Sequence, residues 1–198
     1  MTARTQHSFI ALGLLAALAV PALASDPDAW KAGVPDQPAA VVVRHATIWT
    51  SGPQGTLEDA DLLVQKGKVV KVGKSLAAPA GAVEIDATGK HVTPGLIDCH
   101  SHAAIVGDVN EGTNIVTSEV RIRDVVNSES QNIYRELAGG LTAANLLHGS
   151  ANSIGGQNQV IKLRWGADPD ALLLAGAPEG IKFALGENPK QSNWGVAN

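Results

Sequence analysis

The 198-residue sequence predicts an α/β chain in which a small β-sheet unit precedes a segment of alternating strands and helices. Three observations predict it. Residues 40–86 break into short β-branched runs separated by turn residues. The apolar periodicity changes after Pro94. Beyond that point an amphipathic helical pattern is framed by apolar runs of strand length.

The chain begins with a targeting pattern. Arg4 supplies a small basic region, Phe9 to Val20 is uncharged and apolar, and Ala22-Leu23-Ala24 is a small-x-small cleavage site. Residues 1–24 therefore read as a signal peptide, with Ser25 as the new N-terminus. The apolar run is shorter than the about 20 residues that a membrane span needs. The processed chain is expected to be periplasmic or secreted, with no membrane attachment. Residues 25–38, rich in Asp, Pro and Ala, read as a linker.

Residues 39–92 form the β unit. Ala40 to Thr50 is a β-branched strand, and Gly52 to Asp59 carries turn chemistry. Leu62 to Val72 reads as a hairpin turning at Lys66-Gly67, because a Gly there supplies the positive φ of a two-residue turn. Val83 to Asp86 is a further strand, and Thr88-Gly89-Lys90 a further turn.

Residues 93–198 form the second unit. Pro94 and Gly95 deliver the chain into a strand running to His102, and a Gly/Asn-containing loop follows from Ile105 to about Thr117. Ser128 and Gln131 have capping-box spacing, which sets a helix start. Ile133, Tyr134, Leu137 and Ala138 give that helix an apolar face, and Gly139-Gly140 end it. Leu141 to Leu147, Val160 to Arg164 and Gly180 to Leu185 read as a second, third and fourth strand. Asp168 to Leu174 reads as a short helix. Strands alternating with connections predict a parallel sheet.

Composition excludes some functions. A formal net charge of −4 and the lack of a basic patch argue against a nucleic-acid partner. One cysteine, Cys99, excludes an internal disulfide framework and reads as packing. Trp30, Trp49, Trp165 and Trp194 are scattered and form no aromatic stripe. His45 and His91 read as structural.

The chemistry concentrates in Val92-Thr93-Pro94-Gly95-Leu96-Ile97-Asp98-Cys99-His100-Ser101-His102. Side chains alternate faces along a strand, so His100 and His102 point the same way and can share one metal ion. Neutral imidazole suits zinc, iron and nickel. Asp98 shares their face and is a candidate to hydrogen-bond a ligand histidine.

This segment resembles the first barrel strand of the metal-dependent amidohydrolase superfamily, in which Pro-Gly-x-Ile-Asp-x-His-x-His opens a (β/α)8 barrel. Gly155 to Arg164 and Gly180 to Lys190 extend the similarity, most closely to a secreted imidazolonepropionase-like and dipeptidase-like branch. The resemblance implies a partial TIM-type barrel of about four strands behind part of a β-sandwich. A closed barrel takes about 250 residues, so residues 93–198 are expected to be the first half of a truncated barrel. Such a half-barrel would leave Leu146, Ile161 and Phe183 exposed.

The resemblance also implies roles. His100 and His102 are metal ligands at the C-terminal end of the first barrel strand. Lys182, at the end of the fourth, is placed where family members carry a carboxylated lysine bridging two metals, with Lys162 as a weaker rival. His148, just after strand two, is a candidate substrate contact. Arg164 and the Gly155-Gly156-Gln157 turn would shape the mouth of the site. The cofactor is one or two divalent ions, zinc first. The implied function is hydrolysis of a C–N bond in a small amide, cyclic amide or dipeptide. Family members place further histidine ligands and an aspartate base on later strands. No histidine follows His148, so this portion is expected to be inactive alone. The alternative is a non-catalytic remnant that binds metal weakly or serves as an interaction partner.

Overall fold

A computed structural model of the protein describes residues 36–192. The signal peptide, residues 25–35 of the linker, Trp30 and Trp194 lie outside the described residues.

The β unit is one five-stranded sheet. β1 (Ala40–Trp49) is central, β2 (Thr56–Gln65) pairs antiparallel to it, and β3 (Lys68–Gly73) pairs antiparallel to β2. β4 (Val83–Asp86) and β5 (His91–Val92) run parallel to the other side of β1. The hairpin turns at Lys66 (φ 48°) and Gly67 (φ 72°), the paired left-handed residues that match the twist of the flanking strands. Ala46, Ile48, Ala60 and Ala87 form one buried cluster and Val42, Leu63 and Leu76 another. The division falls at a double irregularity. The β1–β2 register shifts on both sides of Ala46, with His45 and Asp59 both in left-handed backbone.

Asp61 ties this irregularity together. It is 4% exposed and accepts hydrogen bonds from Arg44 Nη1 (2.8 Å), Leu76 N (2.9 Å) and His45 N (3.2 Å). Burial alone would raise its pKa. The Leu76 N–H, Arg44 and the His45 N–H outweigh burial and hold it below its ordinary value of 3.8. Its stabilisation is therefore complete above pH 3.8 and lost as pH falls through the lower folded value. Asp61→Asn should flatten this acid limb, and Asp61→Ala should cost about 3 kcal/mol because buried donors lose their acceptor. Urea midpoints between pH 2 and 7 check both; an unchanged acid limb in Asp61→Asn would refute the assignment. His45 has the opposite sign. Its hydrogen bond to Asp59 raises its pKa, so its contribution is full below 6.5 and fades as pH rises past the folded value.

The second unit departs from four parallel strands. β6 (Leu96–Ser101) pairs parallel with β7 (Leu141–Leu146), but β9 (Gln159–Lys162) pairs antiparallel with β7. β8 (Ile154–Gln157), read from sequence as a turn, is a strand that pairs antiparallel with β10 (Ile181–Phe183) in a separate ribbon. The reason lies in the connections. Only the short link Asn158 separates β8 from β9, and α2 (Pro169–Leu172), capped by Asp168, is the only helix between β9 and β10. A parallel crossover takes a dozen or more residues, so the one-residue link cannot make β8 and β9 parallel neighbours, and β9 turns back antiparallel along β7. The β6-to-β7 connection has that length, and it contains a 3-10 turn (Ile122–Val125) and α1 (Gln131–Ala138). A terminal helix α3 (Glu187–Ser192) follows β10.

The helix start is also displaced. Ser130, not Ser128, is the N-cap residue, and it makes no side-chain cap bond. Asn127 takes over the turn, its side chain accepting from Glu129 N (3.0 Å) and its carbonyl from Ser130 N (3.3 Å). Gly140, at φ 91°, ends the helix as expected. Leu146 and Ile161 are not exposed. They are 0% and 1% accessible in a core with Ile122, Ile133, Leu163 and Leu172, because the helices cover this side of the β7–β9 pair. Phe183 is 58% exposed, as the half-barrel reading expects. Cys99 is exposed rather than packed.

Candidate active site

The parallel β6–β7 pair sets the position of His100. Gly95 lets the start of β6 lie against β7: a Cβ there would fall 2.2 Å from Thr142 Cγ2 and 2.7 Å from its Cβ. This explains a glycine before the strand by close approach of two segments of the chain, not by a positive φ. His100 lies near the end of β6 and His102 just beyond it, both exposed. Their rings lie edge to face, with centroids 5.1 Å apart and planes at 83°.

Leu147 locks this end. Its N–H donates to Ser101 O (2.9 Å), and its carbonyl accepts from His102 Nδ1 (2.8 Å). The His102 proton is thereby held on Nδ1, which leaves the Nε2 lone pair free for a ligand. Asp98 does not touch an imidazole. Its carboxylate accepts from the backbone N–H of His100 (3.0 Å) and steadies the main chain.

Lys182 comes to the pair from the separate ribbon. It sits on β10 opposite Gly156 of β8, is half-buried, and places Nζ 3.3 Å from His100 Nε2. The strand count that suggested it assumed a parallel sheet, yet the antiparallel β8–β10 ribbon delivers the same side chain. Lys162 is exposed on β9, and Arg164 Nη1 donates to Ala171 O (2.8 Å), so Arg164 braces α2.

His148 is 7% exposed. Its ring lies over two glycines. A Cβ on Gly155 would fall 2.7 Å from His148 Cβ, and one on Gly156 would fall 2.8 Å from its Cε1. Gly156 also has φ 125°, so both its dihedral and its contacts require glycine, whereas Gly155 is needed for space alone. The loops around this cradle are pinned. Buried Asn152 accepts from Glu111 N (3.0 Å) and donates to Glu111 O and Asn114 O (2.8 and 2.7 Å). Thr117 Oγ1 donates to Gly155 O (3.0 Å). Burial, then the charges of His102 and Lys182, push the His148 pKa down, so the ring is held neutral.

The structure thus brings His100, His102 and Lys182 together and sets His148 beside them. Among the described residues, no group of three His, Cys, Asp or Glu side chains is placed to hold a metal. The two imidazoles could hold a divalent ion, one with its tautomer fixed and the other facing Lys182; the lysine could join them only after losing its proton, because an ammonium has no lone pair. Sequence reasoning missed Asn152 and the Gly95–Thr142 contact. Asn152 sits in Ser150-Ala151-Asn152-Ser153, which has the composition of any polar loop.

No family model matches the chain. The amidohydrolase tasK of Hapsidospora irregularis is 32% identical over 188 residues, covering 76% of this chain and 19% of that protein. An imidazolonepropionase of Mycolicibacterium smegmatis is 41% identical over 61 residues, 31% of this chain and 15% of the relative. A dihydroorotase of Geobacter sulfurreducens is 57% identical over 49 residues, 25% of this chain and 12% of the relative. The crystal structure of an amidohydrolase from Thermotoga maritima MSB8 superposes with a TM-score of 0.69 at 37% identity, covering 78% of this chain and 41% of that one. The chain therefore has amidohydrolase homologues acting on C–N bonds, and it spans less than half the length of each of these.

Proposed function

We propose that this chain carries the metal-binding part of an exported amidohydrolase that cleaves a C–N bond in a small amide, cyclic amide or dipeptide. The observation that carries the reading is the convergence of Lys182 Nζ on His100 Nε2 at 3.3 Å, across 82 residues of sequence and two separate sheets. At this distance the lysine N–H donates to the imidazole nitrogen and ties the two sheets together, and the same approach would put both nitrogens beside one ion. The relatives support the reaction class, and the similarity to the Thermotoga maritima amidohydrolase supports a partial (β/α)8 barrel with an attached β-sandwich part. Export through residues 1–24 belongs to the same proposal.

A divalent ion at this site, zinc first, would supply Lewis acidity toward an amide carbonyl and toward water. The chain's own residues hold and orient. His102 offers Nε2 because Leu147 O holds its other nitrogen. His100 offers Nε2 on the Lys182 side, with its backbone fixed by Asp98. Lys182, as a neutral amine, can add to CO2: its lone pair forms an N–C bond, nitrogen gives up a proton, and the product is an anionic oxygen ligand. A second reading, weak metal binding without catalysis, draws on the lack of a third His, Cys, Asp or Glu donor among the described residues.

The test loads the protein with zinc and assays dipeptides and five- and six-membered cyclic amides, with metal content measured in parallel. Zinc binding is expected, with little or no turnover by these residues alone. Lys182→Ala should weaken zinc binding about a hundredfold, with partial return on adding short carboxylic acids. Zinc held equally weakly by the wild type and by Lys182→Ala favours the second reading. Unchanged tight binding in Lys182→Ala would make the lysine structural.

A further inference from the structure

The His148 ring is buried, yet nothing satisfies it. Its Nδ1 is sealed from solvent and has no hydrogen-bond partner. A buried N–H without an acceptor is rarer than a bare acceptor atom, so Nδ1 carries the lone pair and Nε2 the proton. Cε1 presses on Gly156, and the Cβ–Cγ side presses on Gly155. The ring's remaining exposure therefore lies at its Nε2–Cδ2 edge.

The residue itself lies next to the site. His148 follows Leu147, whose carbonyl holds His102, and it lies over Gly156, whose register partner is Lys182. The side chain is thus bracketed by two of the three candidate ligands. The glycine pair and the Asn152 clamp hold it there without a hydrogen bond of its own. A core position with this shape would take a leucine; an imidazole with one sealed nitrogen is costly unless the other has a use.

We propose that His148 is a substrate-contact residue that donates its Nε2–H to an oxygen of the amide substrate held at His100, His102 and Lys182. The inference rests on the hydrolase reading for the identity of the substrate, and on the cradle geometry for the donor. The oxygen is a carbonyl or a carboxylate. Both are acceptors of the same kind, and the probes below separate them.

The first measurement needs no variant and no turnover. Long-range ¹⁵N–¹H correlation on the histidine-labelled, zinc-loaded protein should show His148 as the Nε2–H tautomer. Acetate and acetamide are then titrated. A shift of the His148 Nε2 signal with acetate alone assigns a carboxylate; a shift with acetamide assigns a carbonyl. An Nδ1–H tautomer, or a signal that neither probe moves, overturns the proposal.

The second measurement uses the binding of whichever probe shifts the signal. Glutamine places an amide N–H near the imidazole Nε2 position, and leucine removes it. His148→Gln should keep the probe's Kd within about threefold, whereas His148→Leu should raise it tenfold or more with unchanged zinc content. Loss of zinc in both variants would make His148 a metal ligand, and an equal Kd in wild type and His148→Leu would remove the contact; either overturns the proposal. If the tautomer and probe shifts hold but the His100→Ala, His102→Ala double variant binds zinc as the wild type does, the metal-site reading fails and the His148 contact stands.

Discussion

The His100→Ala, His102→Ala double variant is expected to bind zinc at least a hundredfold more weakly than wild type. Even the loss of an outer hydrogen-bond partner costs 10- to 100-fold in affinity, and here both imidazoles go. The single variants should differ. His100→Ala removes the nitrogen that faces Lys182 and leaves the lysine alone as a positive charge. His102→Ala removes the nitrogen whose tautomer is already set and frees the Leu147 carbonyl. Both residues are exposed, so neither change empties a core, and thermal stability without metal should move by less than about 1 kcal/mol. Calorimetric zinc titration and the visible absorption of the cobalt(II) form measure the affinity. Unchanged stoichiometry in the double variant would place the ligands elsewhere.

Gly156→Ala should be among the most damaging single methyl additions in the chain. The new Cβ would fall 2.3 Å from Val120 O, 2.9 Å from Thr117 O and 2.8 Å from His148 Cε1. Two of these are backbone atoms that cannot rotate away. The φ of 125° adds backbone strain for any L residue. Overpacking and strain together should cost about 3 kcal/mol or more. Gly176→Ala is the matched control. It has φ 75° with nothing within 4 Å, so only the backbone term remains, about 1 kcal/mol. Denaturant melts compare the two. Equal costs would mean that the cradle around His148 is softer than its distances imply.

Local patterns made the β unit legible. The β-branched run of β1 marks a strand, and the Lys66-Gly67 turn specifies the β2–β3 hairpin, both through near neighbours in sequence. The β6 strand and its histidine pair were legible for the same reason. The β8–β10 ribbon was not, because Ile154-Gly155-Gly156-Gln157 has neither alternation nor β-branched residues beyond Ile154. Its strand character comes from pairing with β10, a contact between distant parts of the chain. Lys182 was found through resemblance, and its approach to His100 is a tertiary fact that no local pattern encodes. The His148 cradle was hidden likewise: the sequence shows two glycines but not the ring they make room for.

The Leu147 clamp has a consequence for how this chain can change. Its carbonyl fixes one imidazole, its amide fixes the end of β6, and the next residue supplies another imidazole. The register between β7 and the Asn152 anchor is therefore a ruler. Side chains along it can be exchanged, but inserting or deleting one residue between Leu146 and Asn152 would rotate His148 out of its cradle and slide the acceptor away from His102 in a single event. The Ser51–Gly55 turn of the β unit has no such coupling and should absorb changes of length freely. Tolerance to length change, more than tolerance to substitution, separates the site-bearing loops of this protein from its scaffold.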